Sequence, residues 1–182
     1  MTHEVIMAGF GGQGIMAIGK ILAEAGLREN KNVSWFPSYG PEMRGGTASC
    51  SVIITGDMVC SPVVTEATGA IVMNTPSFSK FEEKVIPGGT LFVNSSLVKE
   101  KSNRDDIKVY YIPANDIAKE TESVKFANMV MLGAFLAATG AVSDKTVIQI
   151  ITDMFSTKNA AAVSSNTQAL KKGAAYINVF NK

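Results

Sequence analysis

Three stretches of this sequence hold residues that could do chemistry. The first is Gly9-Phe10-Gly11-Gly12-Gln13-Gly14, which fits the spacing G-x-G-x-x-G. Glycines let backbone amides come close to an anion, and a helix starting just behind them adds unpaired N–H groups and a partial positive charge. The chemistry on offer is the holding of a phosphate or carboxylate; a tight strand-to-helix packing turn needs the same residues, and both readings stand. Gln13 either turns its amide to a ligand or caps the loop. The second stretch, Ser38–Gly46, is a polar turn-rich loop containing Tyr39, Glu42, Arg44, Gly45 and Gly46. Arg44 could grip a phosphate or carboxylate with two parallel hydrogen bonds or pair across a subunit boundary; a local ion pair with Glu42 is the plainer alternative. Tyr39 suits an interface, a ligand edge or core packing. The third is Asn128, an amide within the apolar run Phe126–Val142. A buried amide must find partners, so Asn128 bonds loop backbone or reaches a ligand. None of these residues reads as a general acid, a general base or a nucleophile.

Two familiar uses of such glycines fail on their partners. A dinucleotide-binding unit needs Asp or Glu about twenty residues further on to hold a ribose hydroxyl, and that region reads Val33-Ser34-Trp35-Phe36. A P-loop needs Gly-Lys-Ser/Thr, whereas Gly14 is followed by Ile15-Met16. Two metal centres, an iron–sulfur cluster and a structural zinc held wholly within the chain, are excluded by count. Two cysteines, Cys50 and Cys60, and one histidine, His3, cannot assemble the four soft ligands of an iron–sulfur cluster or a structural zinc. Both cysteines and most of the nine methionines read as core filler, and His3 as exposed and idle.

Composition narrows the class further. Seventeen basic and sixteen acidic residues give a net charge of +1 with no basic block, so nucleic acid is a poor partner. Charged residues are 18% of the chain, below the roughly 25% usual for soluble domains, as expected where another chain covers part of the surface. The uncharged run Phe126–Val142 holds Asn128, Thr139 and two glycines, and reads as a helix buried in protein, with no membrane role. No secretory signal is recognised, and a cytoplasmic protein without disulfides is expected.

The elements that must position these groups follow from pattern. Val5–Ala8 is an uncharged strand buried on both faces, and Ile15, Ile18, Leu22 and Ala25 mark the apolar stripe of the helix behind the glycines. Lys20, Glu24 and Arg28 fall on its solvent face. A second strand is expected over Asn32–Phe36, ended by Pro37, then an alternating strand Thr47–Thr55 and a short antiparallel return over Met58–Ser61. Strands at Gly69–Met73, Thr90–Asn94 and Val109–Ile112 alternate with helices at Ser77–Val85 and Asn115–Thr121. Helices then run to the end: Val124–Thr139, Asp144–Phe155 capped by Ser143, and about Asn159 to Phe180. The expected fold is α/β, a three-layer α/β/α domain with a mostly parallel or mixed sheet and a helical C-terminal third.

In order along the chain, Gly9–Gly14, Tyr39-Gly40-Pro41-Glu42-Met43-Arg44-Gly45-Gly46 and Asn128 within Phe126–Gly133 resemble the gamma subunit of the 2-oxoacid:ferredoxin oxidoreductases. That resemblance covers essentially the whole chain, residues 1–182, as one gamma-type domain. It implies a non-catalytic but required subunit of a thiamine-diphosphate enzyme that converts a 2-oxoacid and coenzyme A to acyl-CoA and CO2, with ferredoxin as electron acceptor. Thiamine diphosphate, Mg2+ and the iron–sulfur clusters would reside in alpha, beta and ferredoxin-like delta subunits. Gly9, Gly11, Gly12, Gln13, Gly14, Tyr39, Glu42, Arg44, Gly45, Gly46 and Asn128 would form or support the coenzyme A site. Two rivals are a free-standing nucleotide- or metabolite-binding module, monomer or homodimer, and a purely structural assembly subunit.

Overall fold

A computed structural model describes residues 2–39, 46–155 and 160–180. Strand β1 (His3–Phe10) runs through the centre of the sheet, and Val5, Met7, Ile6 and Ala8 are buried alternately on its two faces. Helix α1 (Ile15–Arg28) follows, then β2 (Asn32–Tyr39), β3 (Thr47–Thr55), β4 (Ala67–Val72), α2 (Thr75–Phe81), β5 (Val85–Asn94), β6 (Lys108–Ile112), α3 (Ala114–Lys119), α4 (Ala127–Thr139), α5 (Asp144–Phe155) and α6 (Ala160–Phe180). The strand order is β2-β3-β1-β4-β5-β6. β1, β4, β5 and β6 are mutually parallel, and β3 is antiparallel to both β1 and β2. β3 alone therefore runs against the rest, and the mostly parallel sheet carries one reversed strand.

Direction decides where a site can form. The C-terminal ends of β1, β2, β4, β5 and β6 share one edge of the sheet, as does the start of β3, where Phe10 pairs with Thr47 and Tyr39 with Ala48. Chain connections leave β1 and β4 for opposite faces. α1 packs with Val5, Met7, Cys50 and Val52, while Phe78 and Phe81 of α2 pack with Ile6, Ala8 and Val72. A crevice opens between the C-terminal ends of strands whose connections diverge in this way, the usual ligand position in open α/β sheets.

The two covering layers are unequal. α1, α3, α4, α5 and α6 build the thick side, and α4 is buried nearly all round because it lies between the sheet and α6. Phe135 of α4 meets Phe92 of β5 edge-on at 5.6 Å. On its other side α4 crosses α6 at glycines: a Cβ on Gly133 would stand 1.9 Å from the Leu170 carbonyl oxygen, and one on Gly173 1.9 Å from that of Val130. The thin side is α2, a 3-10 turn at Glu82–Lys84 and irregular chain contributing Val64, Val98 and Ile107.

Several sequence expectations need correction. Met58–Ser61 forms no strand, because both edges of β3 are already taken, by β1 and by β2. β2 runs on through Pro37 to Tyr39, since the strand is the sheet's edge, where a missing N–H is tolerated. The helix expected over Ser77–Val85 stops at Phe81, and Val85 already belongs to β5. Val124–Phe126 is a separate 3-10 turn ahead of α4. His3 sits half-buried inside β1, opposite Ile54, and burial followed by the nearby Lys31 lowers its pKa. Cys50 is a core residue as expected, but Cys60 is exposed.

Candidate functional site

The glycine loop is shaped by what surrounds each position. Gly9 is the next-to-last residue of β1, and a Cβ there would lie 2.6 Å from Gln13 Oε1 and 3.0 Å from Met73 Cβ. The Gly11 N–H donates to the Gly46 carbonyl at 3.0 Å, tying the end of the second loop onto the first. Gly14 is the N-cap of α1 in the left-handed region (φ 73°), and a Cβ on it would meet Asn128 Nδ2 at 2.3 Å. Gly12 also has a positive φ, 96°, but its missing side chain faces open space. Packing therefore accounts for Gly9 and packing with backbone shape for Gly14, whereas Gly12 presents bare backbone to the crevice.

Gln13 turns inward. Its Oε1 accepts the Phe10 N–H at 2.6 Å and the Asn74 Nδ2 at 3.4 Å, and its Nε2 donates to the Met73 carbonyl at 3.4 Å. The side chain thus stitches the loop after β1 to the chain leaving β4, across the crevice. Asn128, 9% exposed, donates from Nδ2 to the Gly14 carbonyl at 3.2 Å, while its Oδ1 accepts the Met129 N–H at 2.9 Å. This amide holds the start of α4 against the start of α1 and has little left for a ligand. Tyr39 ends β2 on the same sheet edge with its side chain 57% exposed, outside the cleft beside the glycines. Glu42, Arg44 and Gly45 lie outside the described residues.

Beside the loop is a cleft of about 210 Å³ lined by Gly12, Gln13, Met73, Asn115, Val124, Lys125 and Ala127. Among the described residues its charged lining residue is Lys125, and none is a carboxylate. α1 begins at its rim with no side-chain cap and no acid in its first turn, so the first-turn N–H groups and the positive dipole end stay available. Asn115 adds an amide whose Oδ1 is occupied by Asn94 Nδ2 at 2.9 Å. The arrangement can hold an anion; among the described residues it has no group for proton transfer or covalent chemistry, and no cluster of three or more His, Cys, Asp or Glu suited to a metal. A larger cleft of about 640 Å³ lies at the opposite end of α4, beside Gly140 and Ser143, far from the converging loops.

Sequence reading missed Lys125, Asn115 and Met73. Lys125 stands three residues before Asn128, a signal visible only once the chain is known to enter α4 at the rim of the glycine loop. Away from the site, burial pushes the Cys50 thiol up to about 12, with the Trp35 indole hydrogen bond pulling the other way. No helix among the described residues is long and apolar enough to cross a membrane.

Comparison with known proteins gives this geometry a lineage. Residues 4–176 match the family model described as pyruvate ferredoxin/flavodoxin oxidoreductase. Ketoisovalerate oxidoreductase subunit VorA of Methanothermobacter thermautotrophicus is 39% identical over 134 residues, 74% of this chain; the match spans only 28% of VorA. The 2-oxoglutarate synthase subunit KorC of Methanocaldococcus jannaschii is 35% identical over 156 residues, 84% of this chain and 83% of its own length. Among solved structures, the gamma subunit of keto/oxoacid ferredoxin oxidoreductase from Geobacter sulfurreducens superposes with a TM-score of 0.83 at 28% identity, over 97% of this chain and 99% of that one. A 2-oxoglutarate:ferredoxin oxidoreductase from Magnetococcus marinus, solved with 2-oxoglutarate, coenzyme A and succinyl-CoA bound, gives 0.91 at 25% identity, over 98% of this chain and 31% of that one. With a family match running from β1 into α6 and a relative matched along most of both chains, the protein belongs to the pyruvate ferredoxin/flavodoxin oxidoreductase family.

Proposed function

We propose that this chain is the gamma subunit of a multisubunit 2-oxoacid:ferredoxin oxidoreductase, working in the cytoplasm, and that it completes the coenzyme A site of the assembled enzyme. The observation that carries this reading is the likeness to the Geobacter gamma subunit, a TM-score of 0.83 at 28% identity. Thiamine diphosphate with Mg2+ supplies the decarboxylation and iron–sulfur clusters the electron path to ferredoxin, all in alpha, beta and delta partners. This chain's own contribution is binding and placement.

The residues at the crevice suit a phosphate. Gly12 leaves backbone open, the uncapped start of α1 follows directly behind the lining residues Gly12 and Gln13, Lys125 adds a cation, and among the described residues no acid lines the cleft. Gly9, Gly11, Gln13, Gly14 and Asn128 give the loop its shape through the packing and bonds described above. Gly46 joins the second loop to the first, and Tyr39, Glu42, Arg44 and Gly45 of that loop are assigned to the ligand or the partner side of the site. A cleft of about 210 Å³ is smaller than the roughly 300–1,000 Å³ of a self-sufficient small-molecule pocket. Coenzyme A is long, so only a phosphate end fits here, and a partner subunit must supply the second wall. Binding energy from that remote phosphate helps place the thiol for acyl transfer.

The test is affinity purification of a tagged copy from its own cells. The expected result is co-purification of chains carrying thiamine diphosphate and iron, with coenzyme A-dependent reduction of ferredoxin by a 2-oxoacid. A tagged chain recovered alone in a pool that lacks this activity, while the activity elutes elsewhere, would overturn the reading.

A further inference from the structure

Lys125 reaches the cleft from a short segment whose placement is controlled on its far side. Glu122, between α3 and the 3-10 turn, has φ 121°, a left-handed conformation that favours glycine. A glutamate keeps such a backbone only when its surroundings impose it, which directs attention to the side chain. Glu122 Oε2 lies 2.6 Å from Ser165 Oγ on α6, and Ser165 is 2% exposed. The hydroxyl has one proton to give, and the carboxylate at 2.6 Å is a stronger acceptor than the Ala161 carbonyl at 3.0 Å. Seven residues along the same helix, Lys172 reaches Glu120 at 2.9 Å, so α6 holds this turn twice. Ser123 Oγ then accepts the Lys125 N–H at 3.3 Å, and Asn128 anchors the end of the segment to Gly14. Residues 122–128 are thus a strap fixed at α6 on one side and at the glycine loop on the other, with Lys125 between the two anchors.

We propose that the Glu122–Ser165 hydrogen bond is a latch that positions Lys125 at the phosphate cleft, so that two residues remote from the ligand set the affinity for coenzyme A. The proposal rests on the reading that coenzyme A uses this cleft. Neither Glu122 nor Ser165 lines it. Without the latch the strap samples other positions, and apparent affinity falls with the fraction of chains in which Lys125 is in place.

The test uses the assembled, co-purified complex with three variants. Ser165→Ala removes the donor, Glu122→Gly removes the acceptor while relieving the backbone, and Glu122→Gln keeps an acceptor for the Ser165 proton. If about one chain in five keeps Lys125 in place, the coenzyme A Kd by calorimetry and the coenzyme A KM rise about fivefold in the first two. In those two, kcat at saturating coenzyme A stays within about twofold, and Glu122→Gln stays close to the parent in all three quantities. Hydrogen exchange without coenzyme A should quicken at residues 123–127 in the first two variants while the middle of α6 keeps its protection. Unchanged exchange, unchanged Kd, or a Glu122→Gln enzyme as weak as Glu122→Gly overturns the latch. Failure of the underlying reading looks different: Gly12→Asp would then leave coenzyme A binding unaltered, whereas failure of the latch alone leaves the Gly12→Asp effect in place.

Discussion

Gly14→Ala tests how the glycine loop is held. Gly14 has φ 73°, so an alanine there carries the left-handed penalty of about 1–2 kcal/mol. The new Cβ would also sit 2.3 Å from Asn128 Nδ2, inside any real contact distance, so the Asn128 amide must withdraw. Withdrawal breaks the 3.2 Å bond to the Gly14 carbonyl and leaves a buried amide donor unpaired, worth about 1–3 kcal/mol. Together these give roughly 2–5 kcal/mol, which for a domain of this size lowers Tm by about 4–20 °C. Gly12→Ala is the control: with a positive φ but open space around it, only the backbone penalty of about 1–2 kcal/mol applies. Adding Asn128→Ala to Gly14→Ala removes the collision. In a double-mutant cycle by thermal or urea unfolding, the pair should be less damaging than the sum of the singles by about 1–3 kcal/mol. Equal losses at Gly12 and Gly14, or strict additivity of Gly14 with Asn128, would refute the packing role given to Gly14.

Two further outcomes follow from the packing of α4 on α6 and from the burial of the cysteines. Alanine at an exposed mid-helix glycine normally stabilises by about 1 kcal/mol, but Gly173→Ala would drive a Cβ to 1.9 Å from the Val130 carbonyl oxygen and force α4 and α6 apart. A loss of about 3 kcal/mol or more, the upper end of overpacking, is expected by thermal unfolding, and a neutral or stabilising result would refute the close crossing. Alkylation of the folded chain with iodoacetamide at pH 8, mapped by mass spectrometry, should label exposed Cys60 readily and spare Cys50, which is buried with its pKa near 12; equal labelling would contradict this.

Much of the fold is legible because local signals agree with global placement. β3 is found at its expected bounds, Thr47–Thr55, since Ala48, Cys50, Val52 and Ile54 alternate with polar residues through its first half, although Ile53 and Thr55 on the other face are buried too. α1 follows its apolar stripe, and Arg28 meets Glu24 at 2.6 Å on the solvent face. Other features depend on neighbours that no local pattern reveals. Met58–Ser61 has the sequence of a hairpin return but no free edge to pair with, and Pro37 ends a strand only where its N–H would be needed. The glycine loop shows the same limit. Identical residues serve as spacers at Gly9 and Gly14 and as open backbone at Gly12, a distinction set by Gln13, Met73 and Asn128. Lys125 enters the site through a chain reversal far along the sequence, which spacing within the glycine motif could not announce.

The most direct measurement is the coenzyme A dependence of the assembled enzyme carrying Gly12→Asp. The position faces open space, so a side chain there costs only the left-handed backbone penalty of about 1–2 kcal/mol and the variant should fold and assemble, yet it sets a carboxylate at the rim where phosphate is to bind. With the complex intact by subunit content, the expected result is a coenzyme A KM raised about tenfold or more, equivalent to at least about 1.4 kcal/mol of lost binding. An intact complex with the parent coenzyme A KM and Kd would contradict the assignment of this crevice to coenzyme A.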